Sequence, residues 1–144
     1  MTERVRRMIL AVFVMGAAGT GAELLLTGHV EDAWQQVPVA LLAASLPPAA
    51  IVAFRPAGWA VALFRVLMGL FVAAGALGTY FHYEGNAEFA VELSPGLSGF
   101  ALLTEAFTRT TPPPLAPGTM IMLGLVGLIG TYGKNTEYRI QNTE

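Results

Sequence analysis

The chain contains no cysteine. That removes disulfide scaffolds, thiolate nucleophiles, iron–sulfur clusters and cysteine-based zinc sites together. Charge is also scarce, at 12% of residues against the roughly 25% of an ordinary globular domain. With a net charge of −2, no overall basic field exists to attract nucleic acid. Histidine occurs only twice, at His29 and His82. There is no G-x-S-x-G and no H-E-x-x-H. The nearest approach to a phosphate loop, Gly16-Ala17-Ala18-Gly19-Thr20-Gly21, lies inside an apolar run with no lysine in place. The serines Ser45, Ser94 and Ser98 have no histidine nearby in sequence to serve as a base.

What the chain has is apolar surface, with 54% of its 144 residues hydrophobic. Four long apolar runs stand out, over residues 7–26, 37–54, 58–80 and 115–132. Each approaches the roughly 20 residues that a helix needs to cross a bilayer. With flanking residues they predict helices over about 7–28, 35–54, 58–80 and 115–133, all in one domain spanning residues 1–144. The expected fold is an all-α integral membrane protein with four transmembrane helices in two hairpins. Two other readings fit less well. A signal peptide would explain Arg4, Arg6, Arg7 and the small residues after them, but apolar character resumes at residues 22–26. A soluble bundle would need polar helix faces, and these runs have none.

Orientation follows from the basic residues. Arg4, Arg6 and Arg7 precede the first run, Arg55 lies between the second and third, and Lys134 and Arg139 follow the fourth. An even number of spans puts them on one side, so both termini are expected to be cytoplasmic. A plasma or bacterial inner membrane fits this pattern. The opposite side carries Glu31, Asp32, Glu84, Glu88, Glu92 and Glu105 against Arg109 alone. Residues 81–114 form the one long connection, read as an outer loop. Within it, residues 97–107 show helical spacing of apolar positions. A short interfacial helix lying on the membrane surface is expected there, with Ser94 and Pro95 as a start signal.

Small residues let helices approach closely in lipid. Gly124, Gly127, Gly130 and Gly133 recur every third residue, and Gly69, Gly75 and Gly78 lie on the third run. Packing within the chain is the simplest use of these stripes, and docking to a partner is the other. Pro47 and Pro48 interrupt the second run and predict freed carbonyls near residues 43 and 44, with Ser45 placed to compensate.

Two charges lie inside spans, where ionisable groups point to function. Glu23 stands near the outer end of the first run, and Arg65 near the inner end of the third. Arg65 is expected to snorkel to the inner headgroups. A repeated pattern is more specific. Gly28-His29-Val30-Glu31-Asp32 and Phe81-His82-Tyr83-Glu84 both sit where a span leaves the outer face. The two histidines therefore fall at one level, each with a carboxylate two residues on. His29, Glu31, His82 and Glu84, with Glu23 below them, are the candidate ligands for a divalent transition metal. The competing reading is a polar network that ties the outer loop to the bundle. No other cofactor is expected, although bis-histidine haem ligation would use the same pair.

With no catalytic constellation, the expected role is a non-catalytic accessory or assembly subunit of a larger membrane complex. The alternatives are a small-solute or divalent-metal carrier acting as an oligomer, and a metal-dependent enzyme at the outer interface. Expected partners are the bilayer and other membrane subunits or further copies of the chain, with no nucleic acid.

Overall fold

The computed structural model describes residues 1–55, 57–108 and 117–133. Pro56, residues 109–116 with Arg109 and the start of the fourth apolar run, and residues 134–144 with Lys134 and Arg139 lie outside the described residues. Among the described residues the chain is all-helical: α1 (Glu3–Leu26), α2 (Ala33–Phe54), α3 (Gly58–Leu93), α4 (Gly99–Thr108) and α5 (Gly118–Gly130). Three of these, α1 to α3, are long and apolar enough to cross a membrane. The fourth apolar run forms a shorter helix. Thirteen residues in α5 rise only about 20 Å, against a hydrocarbon core of about 30 Å.

The ends of the helices follow from local chemistry. The Thr2 hydroxyl accepts from the Val5 amide and opens α1. Asp32 does the same for α2, its Oδ1 accepting from the Gln35 amide at 2.8 Å. Gly28 closes α1 in the left-handed region at φ +71°. There the Gly28 amide donates to the Leu25 carbonyl and the His29 amide to the Leu24 carbonyl, the two bonds of a Schellman motif.

α2 is continuous across Pro47 and Pro48. The buried Ser45 hydroxyl donates to the Leu42 carbonyl at 2.8 Å. It therefore does not reach the carbonyls of residues 43 and 44, which lose their donors to the two prolines.

The third helix is much longer than its apolar run. It continues from Tyr80 to Leu93, so the first part of the expected 81–114 loop is helix. No proline interrupts this stretch, and Tyr83, Asn86 and Ala90 share the face that meets α4. Ser94 and Pro95 end α3 rather than start the next helix, and α4 begins at Gly99. At 1.5 Å per residue α3 is about 54 Å long, well beyond a bilayer core.

α1, α2, α3 and α5 form a ring of antiparallel neighbours. α1 packs on α2 and α5, and α3 packs on α2 and α5, while α4 rests on α3. The axis is filled by aromatic rings. Phe13 of α1 meets Phe64 of α3 edge to face, with centroids 5.1 Å apart, and lies 5.9 Å from Phe71. All three are fully buried, together with Met68. Each aromatic pair contributes about 1 kcal/mol beyond its burial. The outward faces are apolar as well. Met8, Val12 and Met15 form an exposed stripe on α1, and Leu63, Val66 and Leu70 do so on α3. Apolar surface both inside and outside suits a bundle surrounded by lipid.

The glycine stripes are used within the chain. A methyl group on Gly124 would stand 2.8 Å from the Met68 carbonyl oxygen, and one on Gly75 2.8 Å from the Pro117 carbonyl oxygen. Gly130 faces Leu10 of α1, and Gly127 faces Met68. Gly69 has open space around it. Gly124→Ala is therefore expected to destabilise the bundle by about 1–3 kcal/mol through overpacking against backbone. Gly69→Ala is expected to be neutral or slightly stabilising, because alanine favours the helix. Thermal unfolding of the two variants in the same detergent checks the contrast.

Candidate functional site

Polar side chains collect at the two ends of the bundle. At the end where α3 begins, Arg65 is half-buried and turned onto the last turn of α5. Its Nε donates to the Thr131 hydroxyl at 3.1 Å and its Nη2 to the Thr131 carbonyl at 2.6 Å. The expected snorkelling is replaced by a cap. A guanidinium at a helix C-terminus meets unsatisfied carbonyls and the negative end of the helix dipole. Thr131 is fully buried and also donates its hydroxyl to the Leu128 carbonyl. The pairing is long-range, so the sequence around Arg65 held no sign of its partner.

Arg6 is a second residue whose role was not legible. In the sequence it forms one basic cluster with Arg4 and Arg7, yet it is 2% exposed and pairs with Glu3 one turn earlier. Its Nε has no hydrogen-bond partner among the described residues. Arg4 and Arg7 remain on the surface, where they line a shallow open groove with Glu3, Met8 and Ala11.

The opposite end carries the histidines. The Schellman motif at Gly28 fixes the backbone of His29 beyond α1, and His82 sits within the continuous α3. The two rings come together with centroids 6.4 Å apart and planes inclined by 53°. Both residues are half-buried. Beside His82 in sequence, Phe81 packs on Trp34 at 5.8 Å and on Tyr80 at 5.9 Å.

The carboxylates do not converge on this pair. Glu31 is exposed, and its amide donates to the Gln35 side chain at 2.9 Å. Glu84 is exposed and accepts from the Tyr80 hydroxyl at 3.2 Å. Glu23 is exposed on α1, and Asp32 is occupied as the cap of α2. Among the described residues, no group of three or more histidine, aspartate or glutamate side chains is placed to hold a metal ion.

A separate polar contact anchors α4. Asn86 is buried on α3 and donates its Nδ2 to the Ala106 carbonyl at 3.1 Å. Tyr83 stacks on Phe107 beside it, with centroids 5.5 Å apart and planes within 28°. A buried side-chain amide bonded to a main-chain carbonyl fixes the register of the two helices, since a slip would leave both groups unpaired.

With this geometry in hand, comparison with protein families, with curated proteins and with solved structures finds no match to the chain.

The Arg65 cap and the Asn86 clamp are separable. Arg65→Met is expected to cost about 1.5–3 kcal/mol, the range for hydrogen bonds to a charged group, in thermal unfolding. Thr131→Val removes only the hydroxyl, leaves the carbonyl contact, and is expected to cost less. Asn86→Ala is expected to speed amide exchange across residues 99–108 while leaving exchange in α1 and α5 unchanged. Hydrogen exchange with mass-spectrometric readout distinguishes the two.

Proposed function

We propose that the chain is a non-catalytic accessory or assembly subunit that packs against a larger membrane complex. The observation that carries this reading is the outward face of α2. Ala40, Ala43, Ala44, Pro47 and Ala50 are all exposed there and all small. The carbonyls of residues 43 and 44 lie on the same stretch, deprived of their helical donors by Pro47 and Pro48. In lipid an unpaired carbonyl is costly, whereas a neighbouring helix with a hydroxyl or amide donor satisfies it. Small side chains allow that helix to come close. Gly124, Gly127 and Gly130 of α5 support the same conclusion by contrast, since they are consumed by contacts inside the bundle.

The filled axis supports a role at the surface rather than in solute passage. Phe13, Phe64, Phe71 and Met68 leave the centre of a single bundle occupied by side chains.

The membrane arrangement belongs to the same proposal. α1, α2, α3 and α5 are the four spans, with α5 extended by flanking residues or matched by local bilayer thinning. Both termini face the cytoplasm, and the membrane is a plasma or bacterial inner membrane. The outer half of α3 and α4 stand beyond the outer leaflet boundary. There α4 leaves Phe100 and Leu103 exposed for contact with the interface.

Extraction from the native membrane in mild detergent, followed by intact-particle mass and subunit analysis, tests the assignment. A stoichiometric larger partner is the expected result. A particle made of this chain alone overturns it. Leucine at both Ala40 and Ala43 is expected to reduce co-extraction of the partner several-fold, with an unchanged melting temperature of the isolated chain. A C-terminal reporter that labels from outside the cell would overturn the orientation.

A further inference from the structure

The geometry points to a two-histidine binding site for a divalent first-row transition ion, formed by His29 and His82 at the top of the bundle. This inference is independent of the assembly role and stands or falls on its own measurement.

The two residues reach each other from distant parts of the chain. They are the sole histidines in it, and the fold brings their rings to a centroid separation of 6.4 Å. A metal bound at about 2.0–2.1 Å from an imidazole nitrogen lies about 3.2 Å from the ring centroid. Two rings sharing one ion therefore stand about 5 Å apart at a tetrahedral angle and about 6.4 Å apart when opposed. The observed spacing falls at the opposed end of that range. Side-chain rotation of about 1 Å covers the remainder, and half-burial of both rings leaves room for it.

Both backbones are held before any ion arrives. His29 follows Gly28 in a Schellman motif whose two hydrogen bonds are complete. His82 lies in the interior of a 36-residue helix. A preformed pair avoids the ordering that weakens sites built on loose segments. Each imidazole also has two ring nitrogens, so one can keep a hydrogen bond while the other ligates.

The donor set decides which ion is favoured. With no third histidine or carboxylate placed to join among the described residues, the protein supplies two nitrogens and water completes the shell. A closed structural zinc site takes four protein ligands, which this cluster does not provide. Two imidazoles with open positions suit Cu²⁺ best, then Ni²⁺, following the usual order of divalent affinities. Occupancy would tie the linker between α1 and α2 to the outer half of α3. The exposed carboxylates of Glu31 and Glu84 draw cations toward the site without ligating them.

Trp34 supplies the readout, because its ring packs on Phe81, the neighbour of His82. Trp59 lies at the start of α3, about 35 Å away along the helix. In the full chain carrying Trp59→Phe, titration with CuCl₂ is expected to quench Trp34 emission saturably, with NiCl₂ acting at higher concentration. His29→Gln and His82→Gln are each expected to raise the Cu²⁺ midpoint about tenfold or more, since one imidazole alone binds far more weakly. The double variant is expected to do little further harm. Wild-type midpoints in both single variants would overturn the site, as would quenching without saturation. If His82→Gln fails to fold, electron paramagnetic resonance of the Cu²⁺-loaded parent decides. Two equivalent imidazole nitrogens support the pair, and one nitrogen overturns it.

Discussion

The close approach of α3 and α5 is the contact on which the rest of the bundle depends. Lipid provides no hydrophobic drive for helix association, so packing at short range has to hold the helices together. Gly75, Gly124 and Gly127 remove the side chains that would keep the two backbones apart. That approach places α5 between α3 and α1, where Gly130 meets Leu10, and so closes the ring. It also brings the end of α5 to Arg65 and lets Phe64 and Phe71 converge on Phe13. A bulkier α5 would separate all of these together.

The distribution of polar groups follows from the same environment. Along the middle of the bundle the core is apolar, apart from Ser45, which bonds a carbonyl of its own helix. Long-range polar contacts occur at the ends. Arg65 satisfies carbonyls where α5 stops, and Asn86 joins α3 to α4 beyond the apolar run. Each serves backbone groups that regular helix bonding leaves unpaired or that a register slip would expose. The histidine pair lies at that second end as well, on a helix terminus and a rigid helix.

The surface of the bundle, rather than its axis, carries the features on which the proposed role rests. The axis is occupied by aromatic rings, whereas α2 presents Ala40, Ala43, Ala44 and Ala50 outward together with Pro47. These features combine in one helix because prolines are tolerated where another element, or a partner, supplies the missing bonds. The C-terminal part of α3 together with α4 adds a second surface, apolar on α4 and acidic along Glu84, Glu88 and Glu92 of α3.

Several features are legible in the sequence alone. Uncharged runs of membrane-spanning length announce apolar helices, because a polar face cannot hide within them. The ends of the first and third apolar runs on one side imply that His29 and His82 share a level, and their ring centroids lie 6.4 Å apart. The glycine spacing of the fourth run implies close packing, and Gly124 and Gly127 provide it.

Other features could not be read this way. Hydropathy drops after Tyr80, although α3 continues because helix continuity depends on the absence of breakers rather than on apolarity. Tyr83, Asn86 and Ala90 at helical spacing were the available signal. The near-uniform apolar faces carry no direction, so the order of helices around the ring had to come from three-dimensional packing. The same is true of Arg65 and Thr131, and of the burial that separates Arg6 from Arg4 and Arg7. Helix type follows from local composition and spacing, which the sequence shows directly. The tertiary structure alone decided which faces meet, because that depends on fitting side chains from distant segments into one another.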